Sequence, residues 1–150
     1  MAEQANERIS VAASPQGCYE VVIDFEKYPE WARDVKQATI LKRDEGGRAL
    51  QVEYRAAGLG KSFHYTLAYE YSGAPESVSW KLVEGDMLRR LDGSYRFEPE
   101  GDGTRVDYDL TVDLSAPLPG LIKRRAAGMI MGTALRELKK EIERINKAST

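Results

Sequence analysis

One stretch limits the possible folds more than any other. Over residues 104–114, Val106, Tyr108, Leu110, Val112 and Leu114 alternate with Arg105, Asp107, Asp109, Thr111 and Asp113. A period of two sends one set to a buried face and the other to water, so this is a half-buried strand. The pattern recurs upstream. Phe63, Tyr65, Leu67, Tyr69 and Tyr71 form one inward set, and Leu50, Val52, Tyr54 and Ala56 another. Val78, Trp80 and Leu82, then Leu91, Gly93, Tyr95 and Phe97, complete the series. Two less regular strands are expected over about 35–43 and 7–13, the latter with Ile9 and Val11 inward. The links Asp44-Glu45-Gly46-Gly47, Ser72-Gly73-Ala74-Pro75 and Gly101-Asp102-Gly103 have hairpin length and turn chemistry. Six successive strands with such links make an antiparallel meander, wet on one face.

Helical spacing interrupts this pattern twice. Ser14-Pro15 is an N-cap followed by proline at the first helical position. Cys18, Val21, Val22 and Phe25 then form an apolar stripe, and Tyr28-Pro29-Glu30-Trp31 starts a second short helix. After Pro119-Gly120, the residues Ile122, Ala126, Met129, Ile130, Thr133, Leu138, Ile142 and Ile145 recur at three- and four-residue steps. A helix over 121–146 would be roughly 35–40 Å long, enough to cross a small domain. The apolar face of the meander needs a cover, and only this helix is large enough. The expected fold is therefore an α+β helix-grip. A curved antiparallel sheet of about seven strands wraps a long C-terminal helix, with two short helices after strand one. No linker or repeat divides the chain, which reads as one domain over 1–150.

Charge and composition exclude several functions. A net charge of −2, with Lys139 and Lys140 set among Glu141, Glu143 and Arg144, offers no basic stripe for nucleic acid. The only cysteine, Cys18, and the only histidine, His64, fall in separate elements, so neither metal nor cofactor is expected. His64 lies on the wet register of its strand, and Cys18 reads as a small buried hydrophobe. Gly58-Leu59-Gly60-Lys61 lacks the spacing and following helix of a phosphate loop and reads as a hairpin turn. The first eight residues are polar, and no run approaches the roughly 20 apolar residues of a membrane span. A cytoplasmic protein without stable membrane insertion is expected.

Three stretches carry a family resemblance: Asp24-Phe25-Glu26-Lys27-Tyr28-Pro29-Glu30-Trp31, Leu91-Asp92-Gly93-Ser94-Tyr95-Arg96-Phe97, and Gly103-Thr104-Arg105-Val106-Asp107-Tyr108 continuing to Pro117-Leu118-Pro119. With them the chain resembles the START-like (SRPBCC) superfamily of polyketide cyclase/dehydrase and lipid-transport proteins. The similarity is to the part near its coenzyme Q-binding and ribosome-association-toxin-like branch. It implies a helix-grip fold and a hydrophobic ligand such as a sterol, lipid, quinone or polyketide. These motifs are structural, and the fold by itself does not decide the chemistry.

The residues suggest where a ligand would sit. Tyr54, Tyr65, Trp80, Tyr95 and Tyr108 share inward registers, as does Tyr69, and Met129 and Ile130 face them from the helix. They either pack as a core or line a cavity; buried phenols need partners, which a water-holding or ligand-holding cavity would supply. Small residues Ala126, Ala127, Gly128 and Gly132 either let the helix pack closely or leave room. Alternating links place 57–60, 84–90 and 115–121 at one end, carrying Leu59, Met87, Leu88, Leu118 and Leu121. Apolar tips there suggest a portal, rimmed by Arg89, Arg90, Lys123, Arg124 and Arg125, or else a plug of leucines. No catalytic constellation is evident. The leading expectation is a binder or transporter of a hydrophobic small molecule, capable of transient membrane or protein docking. The alternatives are a polyketide cyclase or aromatase, with Arg89 or Arg90 steadying an enolate, and a protein-interaction module using the apolar end.

Overall fold

The computed structural model describes residues 3–58, 61–115 and 120–148, with side chains for all of these except 58, 61, 120–127 and 129–131. Its elements are β1 (Glu3–Val11), α1 (Pro15–Val22), a 3-10 turn (Phe25–Lys27), α2 (Tyr28–Trp31), β2 (Val35–Arg43), β3 (Ala49–Gly58), β4 (Lys61–Glu70), β5 (Ser77–Gly85), β6 (Leu88–Glu100), β7 (Gly103–Leu114) and α3 (Gly120–Ala148). The seven strands form one antiparallel sheet in the order β1-β7-β6-β5-β4-β3-β2. This is the α+β helix-grip anticipated from the alternation. The meander runs from β2 to β7, and β1 pairs beside β7.

Local chemistry explains the entry into the helices. Ser14 Oγ accepts the Gly17 N–H at 3.1 Å, and Pro15 occupies the first turn. Thr104 Oγ1 donates to the Ala13 carbonyl at 2.7 Å, tying that entry to β7. The α1 face formed by Cys18, Tyr19, Val21 and Val22 is buried. Burial pushes the Cys18 thiol up, away from the reactive thiolate.

The 29-residue α3 lies along the core through Leu135, Leu138 and Ile142, all buried. Polar side chains fix its position. Glu143 accepts the Ala12 N–H at 2.8 Å, Asn146 donates to the Ala12 carbonyl at 3.0 Å, and Glu137 accepts the Arg33 N–H at 3.2 Å. Gly132 is buried. Gly128 is exposed, and nothing among the described residues beyond the helix's own backbone lies within 4 Å of where a Cβ would stand.

Two strand starts and one inward position differ from expectation. β1 starts at Glu3 rather than residue 7, because its edge position by β7 needs little apolar content to pair. β3 presents Ala49 inward rather than Leu50, since the pairs Arg43–Ala49 and Lys42–Gln51 skip Leu50 in a bulge. β6 begins at Leu88 rather than Leu91.

Candidate ligand site

The inward faces of β3 to β7 carry a continuous aromatic belt. Tyr65 stacks on Tyr54 at 5.2 Å between centroids, and Tyr69 stands 6.1 Å from Trp80. Trp80 lies 5.3 Å from Tyr95 and 5.8 Å from Tyr108, and Tyr95 meets Tyr108 edge-on at 4.6 Å. Tyr54, Trp80, Tyr95 and Tyr108 are buried, and Tyr65 is half-buried against the same core. The alternation thus brought these five sheet residues to one face.

It missed the contribution of the 3-10 turn and α2. Phe25 packs 4.3 Å from Tyr69, and Tyr28 lies 6.0 Å from Tyr54 and 4.9 Å from Trp31. Phe25, Tyr28 and Trp31 recur every three residues, a spacing that could have signalled a single aromatic face.

The phenols find partners within the protein. The Tyr54 and Tyr69 hydroxyls bond each other at 2.6 Å, Tyr71 donates to the Ala49 carbonyl at 2.6 Å, and Tyr28 donates to the Val22 carbonyl. A high hydroxyl count therefore does not by itself require a cavity, which corrects that inference from the sequence. Burial removes the phenolates from water and pushes these groups up. Tyr65 rises to about 12, through desolvation first and then the nearby Asp34 charge. Tyr28, Tyr54, Tyr69 and Tyr95 rise well above their ordinary value for the same first reason. At neutral pH the belt is uncharged.

The Tyr54–Tyr69 pair permits a direct energetic test. Tyr54→Phe leaves the Tyr69 hydroxyl buried without its partner and should cost about 1–3 kcal/mol. Adding Tyr69→Phe should recover much of that loss, giving a measurable coupling in a denaturant double-mutant cycle. Additive losses would show that the two hydroxyls do not depend on each other.

Three contacts among the described residues mark the end of the sheet where the portal is expected. Gly58 pairs with Lys61, Tyr65 pairs with Gly85, and the Ser115 N–H donates to the Met87 carbonyl at 2.9 Å. Its composition differs from expectation. The β5–β6 link is only Asp86-Met87, so Leu88, Arg89 and Arg90 are strand residues rather than loop tips. Met87 takes φ 61°, a left-handed conformation uncommon outside glycine. Leu88 packs with Leu91, Val112 and Leu114 in a separate cluster. Arg89 is exposed, whereas Arg90 Nε is held by Asp92 at 2.7 Å. Leu59 and Leu118 lie outside the described residues. Leu121, Lys123, Arg124, Arg125, Met129 and Ile130 lie on the part of α3 whose side chains fall outside them.

His64 is on the wet face, its side chain 59% exposed and 3.5 Å from Asp86. Among the described residues, no three His, Cys, Asp or Glu side chains are grouped to hold a metal ion. No helix of the described residues is long and apolar enough to cross a membrane. A concavity of about 330 Å³ lies between α1, α2 and the C-terminal part of α3, lined by Val21, Trp31 and Ile142 among others.

Known proteins share this architecture. A START superfamily protein from Mycobacterium smegmatis superposes with TM-score 0.89 at 28% identity, covering 95% of this chain and 98% of that one. The Zhui aromatase/cyclase from a Streptomyces species shares the fold, with TM-score 0.76 at 18% identity over 96% of this chain and 95% of its own. The persistence and stress-resistance toxin PasT of Escherichia coli is 26% identical, covering 84% of this chain and 81% of that protein. The family model for polyketide cyclase/dehydrase and lipid transport matches residues 3–143. A match of that extent, on a helix-grip with an aromatic inner face, shows that the chain belongs to the START-like polyketide cyclase/dehydrase and lipid-transport family.

Proposed function

We propose that the chain binds and carries a hydrophobic small molecule bearing oxygen functions, of the lipid, isoprenoid quinone or polyketide-like class. The ligand would lie between the sheet's aromatic belt and α3. One observation carries this reading: six inward aromatic side chains on β3 to β7, with Tyr69 joining the Tyr54–Tyr65 pair to Trp80, form an unbroken, uncharged surface that includes phenol hydroxyls. Rings supply apolar contact area, and neutral phenols donate to carbonyl oxygens. The same neutrality favours binding over proton abstraction, since a general base works best when its pKa lies near the operating pH. Tyr54, Tyr65, Trp80, Tyr95 and Tyr108 are the sheet contacts in this reading, and Met129 and Ile130 its proposed contacts from α3.

Trp80 provides the assay. With Trp31→Phe it becomes the sole indole, and its fluorescence can be titrated with a short-chain isoprenoid quinone, a fatty acid and an aromatic polyketide. Saturable quenching is expected with at least one. Tyr95→Phe or Tyr108→Phe should weaken that binding by roughly tenfold, the value of one lost hydrogen bond. Failure of all three probes to saturate, with the fold intact, would contradict the proposal.

A further inference from the structure

We infer that the interior is reached through a slit between β5 and β6, and that Asp92 is the side chain that latches it. What passes through the slit rests on the carrier reading above, but the latch does not. β5 and β6 pair at only four positions, from Ser77–Arg96 to Trp80–Gly93. Both strands continue to the Asp86-Met87 turn without further pairing to each other. β5 instead follows β4, and β6 follows β7.

Two bulges face each other across this gap. The pairs Leu67–Leu82 and Thr66–Glu84 skip Val83, and the pairs Leu88–Leu114 and Arg90–Asp113 skip Arg89. A bulge bends its strand and ends regular pairing, so opposed bulges part the two strands. The lips of the gap are apolar. Leu82 and Leu91 are only half-buried, unlike Trp80 and Tyr95 beside them, and Val83 is 51% exposed. Trp80 stands at the closed apex, against Gly93.

A side chain replaces the missing rung. Continuing the Trp80–Gly93 register would set the Leu82 N–H against the Leu91 carbonyl. That N–H instead donates to Asp92 Oδ1 at 3.1 Å, while Asp92 Oδ2 accepts Arg90 Nε at 2.7 Å. A carboxylate bridging two strands can release by a side-chain rotation, leaving the sheet on either side intact. A backbone rung cannot. The slit opens toward the belt at Trp80 and lies at the end of the molecule that carries Met87.

Acrylamide quenching of Trp80 in the Trp31→Phe protein, without ligand, tests the latch. Asp92→Ala should raise the quenching constant about tenfold, the loss of a charge-assisted hydrogen bond. The pair Lys81→Cys with Asp92→Cys guards against misfolding, because the position next after the last pair, Trp80–Gly93, sets these residues across the gap from each other. Its reduced form should be open, and its oxidised form should quench no more than the parent. Uptake of anilinonaphthalene sulfonate should be slower in the oxidised form at an unchanged final level. Quenching and uptake indifferent to the redox state would overturn the slit. Quenching that switches with redox, in a protein that binds no hydrophobic probe, would support the latch and count against the carrier reading.

Discussion

Gly93→Val should lose about 3 kcal/mol of stability, at the upper end of the cost of overpacking a core. The position is inward on β6, where the alternation calls for a side chain. A Cβ there would stand 2.5 Å from the Asp109 carbonyl oxygen and 2.6 Å from the Trp80 indole. The first neighbour is backbone of β7 and cannot yield without breaking the β6–β7 ladder. The second is the ring at the centre of the belt. Gly93 is therefore the space that Trp80 fills. Denaturant midpoints should fall, and Trp80 emission in a Trp31→Phe background should shift as the indole is displaced. Gly128→Ala is the contrasting substitution. With no described residue outside the helix backbone within 4 Å of its Cβ position, it should stabilise α3 by about 0.5–1 kcal/mol. Equal effects at the two glycines would contradict the packing described.

Alkaline pH should unfold the protein cooperatively as the phenols are forced to ionise. Seven tyrosines, Tyr28, Tyr54, Tyr65, Tyr69, Tyr71, Tyr95 and Tyr108, are held above their ordinary value, in each case first by desolvation. Each keeps its proton more tightly folded than unfolded. Its contribution is thus fully present below the unfolded value of 10 and is lost as pH rises toward the folded value, which for Tyr65 is about 12. Each such group removes on the order of 1.4 kcal/mol per pH unit over that window. Phenolate absorbance should lag behind that of free tyrosine and then rise together with loss of the fold. A smooth titration near pH 10 with the sheet intact would mean that the belt is wet rather than buried.

The strands were legible where side chains alternate without interruption. β7 reads directly, and the bounds of β2 emerge despite three irregularities in its pairing with β3. The first helix was legible because its cap is chemical, a serine followed by proline. Legibility failed at bulges. Leu88 and Leu91 are both apolar but three residues apart, because Arg89 is inserted between them. A period-two template therefore starts β6 at Leu91 and assigns Leu88 to a loop. The same effect moved Leu50 out and Ala49 in. The candidate site was legible on the sheet side, where register alone selects Tyr54, Tyr65, Trp80, Tyr95 and Tyr108. Phe25, Tyr28 and Trp31 were not found, because they join the belt through tertiary packing of two very short helices. Nor could spacing reveal that Tyr54 and Tyr69 satisfy each other, since that depends on two side chains meeting across neighbouring strands.

Native mass spectrometry of freshly purified protein, followed by organic extraction, tests the central claim most directly. The expected result is a defined mass above that of the chain, released as an apolar compound bearing carbonyl or hydroxyl groups and reduced in occupancy by Trp80→Ala. If the protein carries nothing and accepts no quinone, fatty acid or aromatic polyketide on incubation, the belt is a packed core and the carrier function is contradicted.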